Sequence, residues 1–263
     1  MHKNPVSISL SSYGASVVRQ RGQASFLGLL AAAGVARVEL REELFDEAPD
    51  AAALSAAIQA SGLECLYSSP LELWTPAGQP DPRLPAKLAL AKALGAVALK
   101  VSLGHYQPHC DVASLKPWLN ADGPVLLVEN DQTRHGGRIA PLLHFFQQVD
   151  AQALALALAL GMTFDIGNWH WQCESAAAAA RQLGRWVRYV HCKAVQCEAS
   201  GRLVAVAPRA ADLAAWGEMF KAFAPGLVRA VEYPLVSDDL LALTRDQVAH
   251  LARLGLSKEV SHA

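Results

Sequence analysis

The sequence predicts an α/β protein whose strands close into a single (β/α)8 TIM barrel spanning residues 1–263. Three observations predict it. Short β-rich runs alternate with longer Ala/Leu-rich helical runs from end to end, and the alternation repeats eight times. Most of the strand-like runs follow a Gly or Pro that can end the preceding helix, namely Gly34, Gly62, Gly95, Pro124, Gly161 and Gly226. The length of 263 residues matches the ~250 typical of such a barrel.

In chain order, the strand-like runs are Val6–Leu10, Ala36–Leu40, Leu63–Tyr67, Val97–Ser102, Val125–Glu129, Thr163–Asp165, Arg188–Lys193 and Val228–Glu232. Helix-like runs follow them at Ser16–Ala33, Asp50–Ala60, Pro85–Leu94, Val112–Leu119, Ile139–Val149, Ala176–Leu183, Ala211–Ala222 and Asp238–Leu254. The Ala/Leu alternation of Gln152–Leu160 mimics a strand, but both residues are strong helix formers, so it reads as a short helix. Strand–helix alternation implies a parallel sheet with right-handed crossovers. An open doubly wound sheet has the same alternation, but no G-x-G-x-x-G follows an early strand and eight units suffice to close a ring. Two loops are long, Ser68–Pro82 with four prolines and Gln196–Ala210. Both follow strands, so both belong over the catalytic face, as a lid or a subunit contact in a homo-oligomer.

Composition narrows the function classes. Hydrophobic residues make up 52% and charged residues 18%, with a formal net charge of −1. There is no basic stripe, which argues against nucleic acid as the partner. Ala153–Met162 is too short to cross a bilayer, and Met1–Ser12 lacks the apolar core of a signal peptide. The five cysteines, Cys65, Cys110, Cys173, Cys192 and Cys197, are scattered and contain no C-x-x-C, so neither a disulfide framework nor a zinc knuckle is expected. A cytoplasmic protein without a membrane partner is the expectation.

In a barrel of this kind, catalytic groups sit at the C-terminal ends of the strands. The last four predicted strands end in L-L-V-E-N at Glu129, T-F-D-I-G-N-W-H-W at Asp165, V-H-C-K-A at His191 and V-E-Y-P at Glu232. Three buried carboxylates brought together are costly unless a positive charge sits among them. A divalent cation resolves that conflict, and three carboxylates with one imidazole suit Mn²⁺, with Mg²⁺, Co²⁺ or Zn²⁺ as further options. Taken singly, each residue has a plainer reading. Glu129 could meet solvent at a strand end, Asp165 could be a turn residue before Gly167, His191 a satisfied core histidine, and Glu232 an ion-pair partner.

These motifs resemble those of the sugar phosphate isomerase/epimerase family, the xylose-isomerase-like barrels, with a looser similarity to epimerases of 2-ketogluconate utilisation. That family carries E-N at the fifth strand, D-x-G-H at the sixth, H-x-K at the seventh and Glu at the eighth. The resemblance implies that Glu129, Asp165, His191 and Glu232 ligate the metal and that Glu129 and Glu232 form the acid/base pair. It also implies a carbohydrate substrate, a keto-sugar or sugar acid, epimerised or isomerised through an enediolate. This chain departs from the pattern twice. Asn168 replaces the His that touches substrate, with His170 two residues on, and Ala194 replaces the acidic residue after H-x-K.

Lys193 shares the facing of His191 in a period-two strand and is a candidate substrate contact, or else a lysine snorkelling from the mouth. Glu39 and His105 serve equally as substrate hydrogen-bonders or as structural ion pairs. Trp169, His170 and Trp171 either wall the pocket or pack under a loop. Arg188 and Arg229 stand three residues before His191 and Glu232, so they face away from the pocket. A dehydratase on the same site, or a barrel without catalysis, is compatible with the same residues. A DNA-repair endonuclease needs a second cluster of ligands and a basic face, and the sequence shows neither.

Overall fold

A computed structural model describes residues 3–119, 122–152 and 159–256. Eight parallel strands close into a barrel in the order β1-β10-β7-β6-β5-β4-β3-β2. They are β1 (Val6–Ser9), β2 (Arg37–Arg41), β3 (Glu64–Trp74), β4 (Ala98–Gly104), β5 (Val125–Glu129), β6 (Leu160–Asp165), β7 (Val187–Cys192) and β10 (Val228–Val231). The remaining two, β8 (Ala194–Cys197) and β9 (Leu203–Val206), pair antiparallel as a separate hairpin. The closed ring is the one expected from the alternation.

Helices α1 (Ala15–Arg21), α2 (Leu27–Ala32), α3 (Ala51–Ala60), α4 (Leu84–Ala93), α5 (Ile139–Asp150), α6 (Ala176–Leu183), α7 (Ala210–Met219) and α8 (Leu240–Arg253) fall between or after the strands. Asp50, Ser175 and Asp239 cap α3, α6 and α8 by accepting from Ala53, Ala178 and Ala242 N–H, a contribution of about 1 kcal/mol each. Among the described residues, no helix is long and apolar enough to cross a membrane.

The core has two parts. A small cluster of Leu66, Ala98, Leu127, Tyr189 and Ala230 fills the barrel floor. The larger one lies between strands and helices, with Ile8, Val38, Leu99, Val128, Phe164 and Val190 pointing outward from their strands. The period-two rule then decides the next inward layer. Two residues beyond Ala98, Leu127, Tyr189 and Ala230 come Lys100, Glu129, His191 and Glu232.

Several expectations need correction. The predicted helix Ser16–Ala33 is broken at Gly22 into α1, a 3-10 turn at Gln23–Phe26, and α2. Val112–Trp118 is a 3-10 helix, because Pro117 supplies no N–H and opposes α-helical continuation. The third strand does not stop at Tyr67: it runs on to Trp74 with a register shift between Ser68 and Glu72, absorbing half of the predicted loop. The second predicted loop is largely the β8–β9 hairpin. The helix assigned to Gln152–Leu160 lies mostly outside the described residues.

Candidate metal centre

Glu129 closes β5 and Asp165 closes β6, while His191 is the penultimate residue of β7 and Glu232 follows β10 directly. Parallel register sets Asp165 beside His191 and Ala230 beside His191. Each of the four offers one ligand atom, and these atoms lie within 4.8 Å of one another. His191 Nδ1 is 2.7 Å from Glu129 Oε1, 3.0 Å from Glu232 Oε2 and 3.6 Å from Asp165 Oδ2.

Neighbouring residues hold these groups in place. The side chain of Asn130 exchanges two hydrogen bonds with the backbone of Asp165: Nδ2 donates to its carbonyl at 2.9 Å and Oδ1 accepts from its N–H at 2.8 Å. The E-N pair thereby ties the mouth of β5 to that of β6. Asp165 Oδ1 accepts from the N–H groups of Gly167 and Asn168, which leaves Oδ2 facing the cluster. Glycine at 167 is a packing requirement, since a Cβ there would stand 2.6 Å from Lys193 Cγ. On the far side of the imidazole, Nε2 lies 2.6 Å from Glu39 Oε2, which also accepts from the Tyr189 hydroxyl at 2.8 Å. An Nε2–H donated to Glu39 leaves the Nδ1 lone pair aimed into the cluster, the tautomer a metal ligand requires.

Three cations surround the acids. Lys193 Nζ is 2.7 Å from Asp165 Oδ2 and 2.8 Å from Glu232 Oε2. Lys100 Nζ is 2.5 Å from Glu129 Oε2, and Arg41 Nη1 is 2.8 Å from Glu232 Oε1 and 3.3 Å from Glu39 Oε1. Burial alone would push Glu129 up, but the Lys100 ammonium and His191 hold it down to about 2. Burial opposed by His191 and Lys193 likewise leaves Glu232 well below the ordinary carboxylate range. Asp165 differs: burial pushes it up, and Lys193 with His191 does not fully compensate. Burial pushes His191 down, yet Glu232, Glu39 and Glu129 raise it well above an ordinary imidazole.

The residues fit a divalent ion. Glu129 Oε1, Asp165 Oδ2 and His191 Nδ1 are buried without a hydrogen bond of good geometry, though all three face one another. Buried polar atoms are almost always satisfied, and these three converge on one point, where Lys193 Nζ, 2.7 Å from Asp165 Oδ2, supplies positive charge that a divalent ion would also supply. Three carboxylate oxygens and one imidazole nitrogen make a hard, oxygen-rich set. The site forms the floor of a cavity of about 360 Å³ lined by Arg41, Ser68, Glu72, Lys100, Glu129, Gln132, Asp165, Asn168, Lys193 and Glu232, among others, a size suited to a small ligand.

The other predicted residues separate clearly. Lys193 and Asn168 line the cavity. Asn168 also donates to the Asn130 carbonyl at 2.8 Å and accepts from Gln132 at 3.1 Å. Glu39, expected as a substrate contact or an ion pair, is wholly buried beneath His191, with Arg41 Nη1 3.3 Å and His191 Nε2 2.6 Å from its carboxylate. His170 is exposed on the 3-10 turn Asn168–Gln172 and does not line the cavity. Its turn follows β6 and leaves the imidazole exposed. Trp169 packs against Phe164 with ring centroids 5.5 Å apart. Arg229 faces outward as expected, donating to the carbonyls of Leu251 and Leu254. His105 pairs with Glu72 and stacks on His135, a second cluster that the sequence reading does not find. Arg41 and Lys100 were also missed. A lysine inside the apolar run A-L-K-V-S was the available signal for Lys100, since period two points it inward with Ala98.

Fold and site together define a (β/α)8 barrel with a carboxylate–histidine centre at its C-terminal mouth. No protein-family model matches the sequence, and no curated protein matches it. Solved structures do match. The D-psicose 3-epimerase of Clostridium cellulolyticum H10, solved with D-tagatose, superposes with a TM-score of 0.68 over 96% of this chain and 100% of its own, at 12% identity. An L-ribulose 3-epimerase gives 0.61 over 98% and 99%, at 16% identity. The probable 3-DHS dehydratase AsbF of petrobactin synthesis from Bacillus anthracis gives 0.62 over 94% and 98%, at 11% identity. Sugar phosphate isomerase/epimerase and xylose isomerase domain proteins also match, so the barrel resembles the family whose motifs the sequence resembles. At these identities the likeness shows the fold.

Proposed function

We propose that this chain is a divalent-metal-dependent epimerase or isomerase of a small keto-sugar, using Glu129 and Glu232 as its acid/base pair. The observation that carries the proposal is the convergence of three carboxylates and one imidazole, Glu129, Asp165, Glu232 and His191, at the floor of an open cavity. The epimerases among the structural neighbours support the reaction class.

Glu129, Asp165, His191 and Glu232 would hold the ion. When bound, it supplies the Lewis acidity that stabilises an enediolate after a proton leaves the carbon beside a carbonyl. Glu129 and Glu232 approach His191 Nδ1 from β5 and β10, so two carboxylates are available to remove the proton and to return it. Lys100 and Arg41 hold the outer oxygens of Glu129 and Glu232 respectively, which keeps both ionised and fixes their rotamers. Lys193 offers its ammonium to a sugar oxygen at the cavity wall. Return of the proton to the opposite face epimerises; return to the adjacent carbon isomerises.

The charge balance favours an uncharged sugar. Arg41, Lys100 and Lys193 are the cationic side chains lining the cavity, against the carboxylates of Glu72, Glu129, Asp131, Asp165 and Glu232. A single divalent ion at the floor brings that lining close to neutral, so the floor itself holds no surplus positive charge for a phosphate. The test is incubation of Mn²⁺-loaded protein in D₂O with ketoses and 2-keto sugar acids, followed by mass spectrometry. Uptake of one deuterium, lost in Glu129→Gln and in Glu232→Gln, is expected. A dehydrated product without exchange would assign elimination instead, and metal-loaded protein inert towards every sugar would count against the proposal.

A further inference from the structure

Glu72 on β3, His105 just after β4 and His135 in the loop after β5 meet at the rim of the cavity, although they span 63 residues of sequence. One ligand atom from each lies within 4.8 Å of the others. His135 Nε2 is 2.9 Å from Glu72 Oε1, and His105 Nε2 is 3.7 Å from Glu72 Oε2. The two imidazoles stack with centroids 3.7 Å apart and planes 13° from parallel. Both therefore turn the same nitrogen toward one carboxylate.

A single His–Glu hydrogen bond explains His135. It does not explain His105, whose Nε2 stands beyond hydrogen-bond reach of the other oxygen while its ring is held against the first. The arrangement is also built into the backbone. At Gly104 (φ +71) a Cβ would lie 2.6 Å from the Trp74 carbonyl oxygen and 2.7 Å from Glu72 Cβ. Only glycine lets the end of β4 approach β3 this closely, and His105 N–H then donates to Trp74 O at 2.8 Å. The loop bearing His135 is pinned by Asp131 Oδ1, which accepts from the N–H and hydroxyl of Thr133, and by Gly136 N–H donating to Thr133 Oγ1.

We infer that Glu72, His105 and His135 form a second divalent-cation site, distinct from the floor of the barrel. Two imidazole nitrogens and one carboxylate oxygen suit a borderline ion such as Zn²⁺. Their side chains are each about one-third exposed, which leaves coordination positions open to water or to an oxygen donor. Glu72 lines the same cavity as Glu129 and Asp165, so a cation here adds positive charge at its rim. This inference goes beyond the proposed reaction and does not require it.

The full chain is dialysed to equilibrium against low-micromolar Zn²⁺ and its bound metal counted. Wild type is expected to hold two ions, and His105→Ala, His135→Ala and Glu72→Gln one each. Asp165→Asn, which cripples the floor site, is also expected to hold one, and Asp165→Asn with His105→Ala none. Circular dichroism verifies folding of each variant. Because His135 lies in a loop and Glu72→Gln is nearly isosteric, at least those variants keep the test decisive. Co²⁺ absorption gives a second readout: loss of imidazole-ligated bands in Asp165→Asn with His105→Ala beyond those lost in Asp165→Asn alone supports the rim site. Wild-type stoichiometry in all three rim variants would overturn it. Loss of an ion in the rim variants but none in Asp165→Asn would keep the rim site and sink the floor site.

Discussion

Glu39 Oε2 lies 2.6 Å from His191 Nε2, and both side chains are wholly buried. The carboxylate sets the tautomer of the imidazole and raises the basicity of Nδ1, which faces Glu129 and Glu232. Glu39→Gln is expected to weaken divalent-metal affinity by about 10–100-fold while leaving the fold intact. Chelator competition measures it, and wild-type affinity in the variant would remove Glu39 from this role.

Lys193 stands between Asp165 and Glu232 in the metal-free cluster. Lys193→Met removes that positive charge and leaves two buried carboxylates facing each other, a loss expected to reach about 3–5 kcal/mol. Saturating Mn²⁺ is expected to restore much of it by binding the same oxygens. Denaturant unfolding with and without metal distinguishes this from loss of packing, which metal would not repair.

Acid stability follows from Glu129. Its ionisation is displaced from an ordinary 4.5 down to about 2 in the folded metal-free protein. A carboxylate depressed by folding contributes stability that is fully present above 4.5 and is lost as pH falls from there towards 2. Asp165 has the opposite sign, raised by burial, so its ionisation opposes folding at neutral pH until a cation joins it. Melting midpoints of metal-free wild type should therefore fall more steeply below pH 4.5 than those of Glu129→Gln. Parallel curves would refute the assignment.

Asn168 links the mouths of β5 and β6 through Asn130 and Gln132. Asn168→Ala leaves a buried Asn130 carbonyl without that donor and should cost about 1–3 kcal/mol. Asn168→His keeps a donor at the site, so comparing the two by thermal unfolding separates the loss of the hydrogen bond from the loss of the side-chain shape.

The barrel and the floor of its site were largely legible in the chain. Glu129, Asp165, His191 and Glu232 each end or follow an apolar strand, and strand periodicity carries such residues inward at the mouth. Local patterns were less informative where a single residue overrides them: Pro117 turned a helical run into a 3-10 helix, and Gly22 divided another. Glu39 could not be placed, because period two says only that it points inward, not that Tyr189 and His191 lie over it.

The sequence by itself determined the eight strands of the barrel, their parallel order and the positions of Glu129, Asp165, His191 and Glu232 at their mouths, since these follow from periodicities of two and about 3.6 along one chain. Only tertiary structure decided what those side chains face. The pairing of Lys100 with Glu129 and Arg41 with Glu232 depends on which strands are neighbours and on their stagger. The meeting of Glu72, His105 and His135 depends on a strand running seven residues further than its pattern suggests and on a close approach at Gly104. Charges that interact across a closed barrel act through space, and their strength is fixed by distance and burial that no local pattern records.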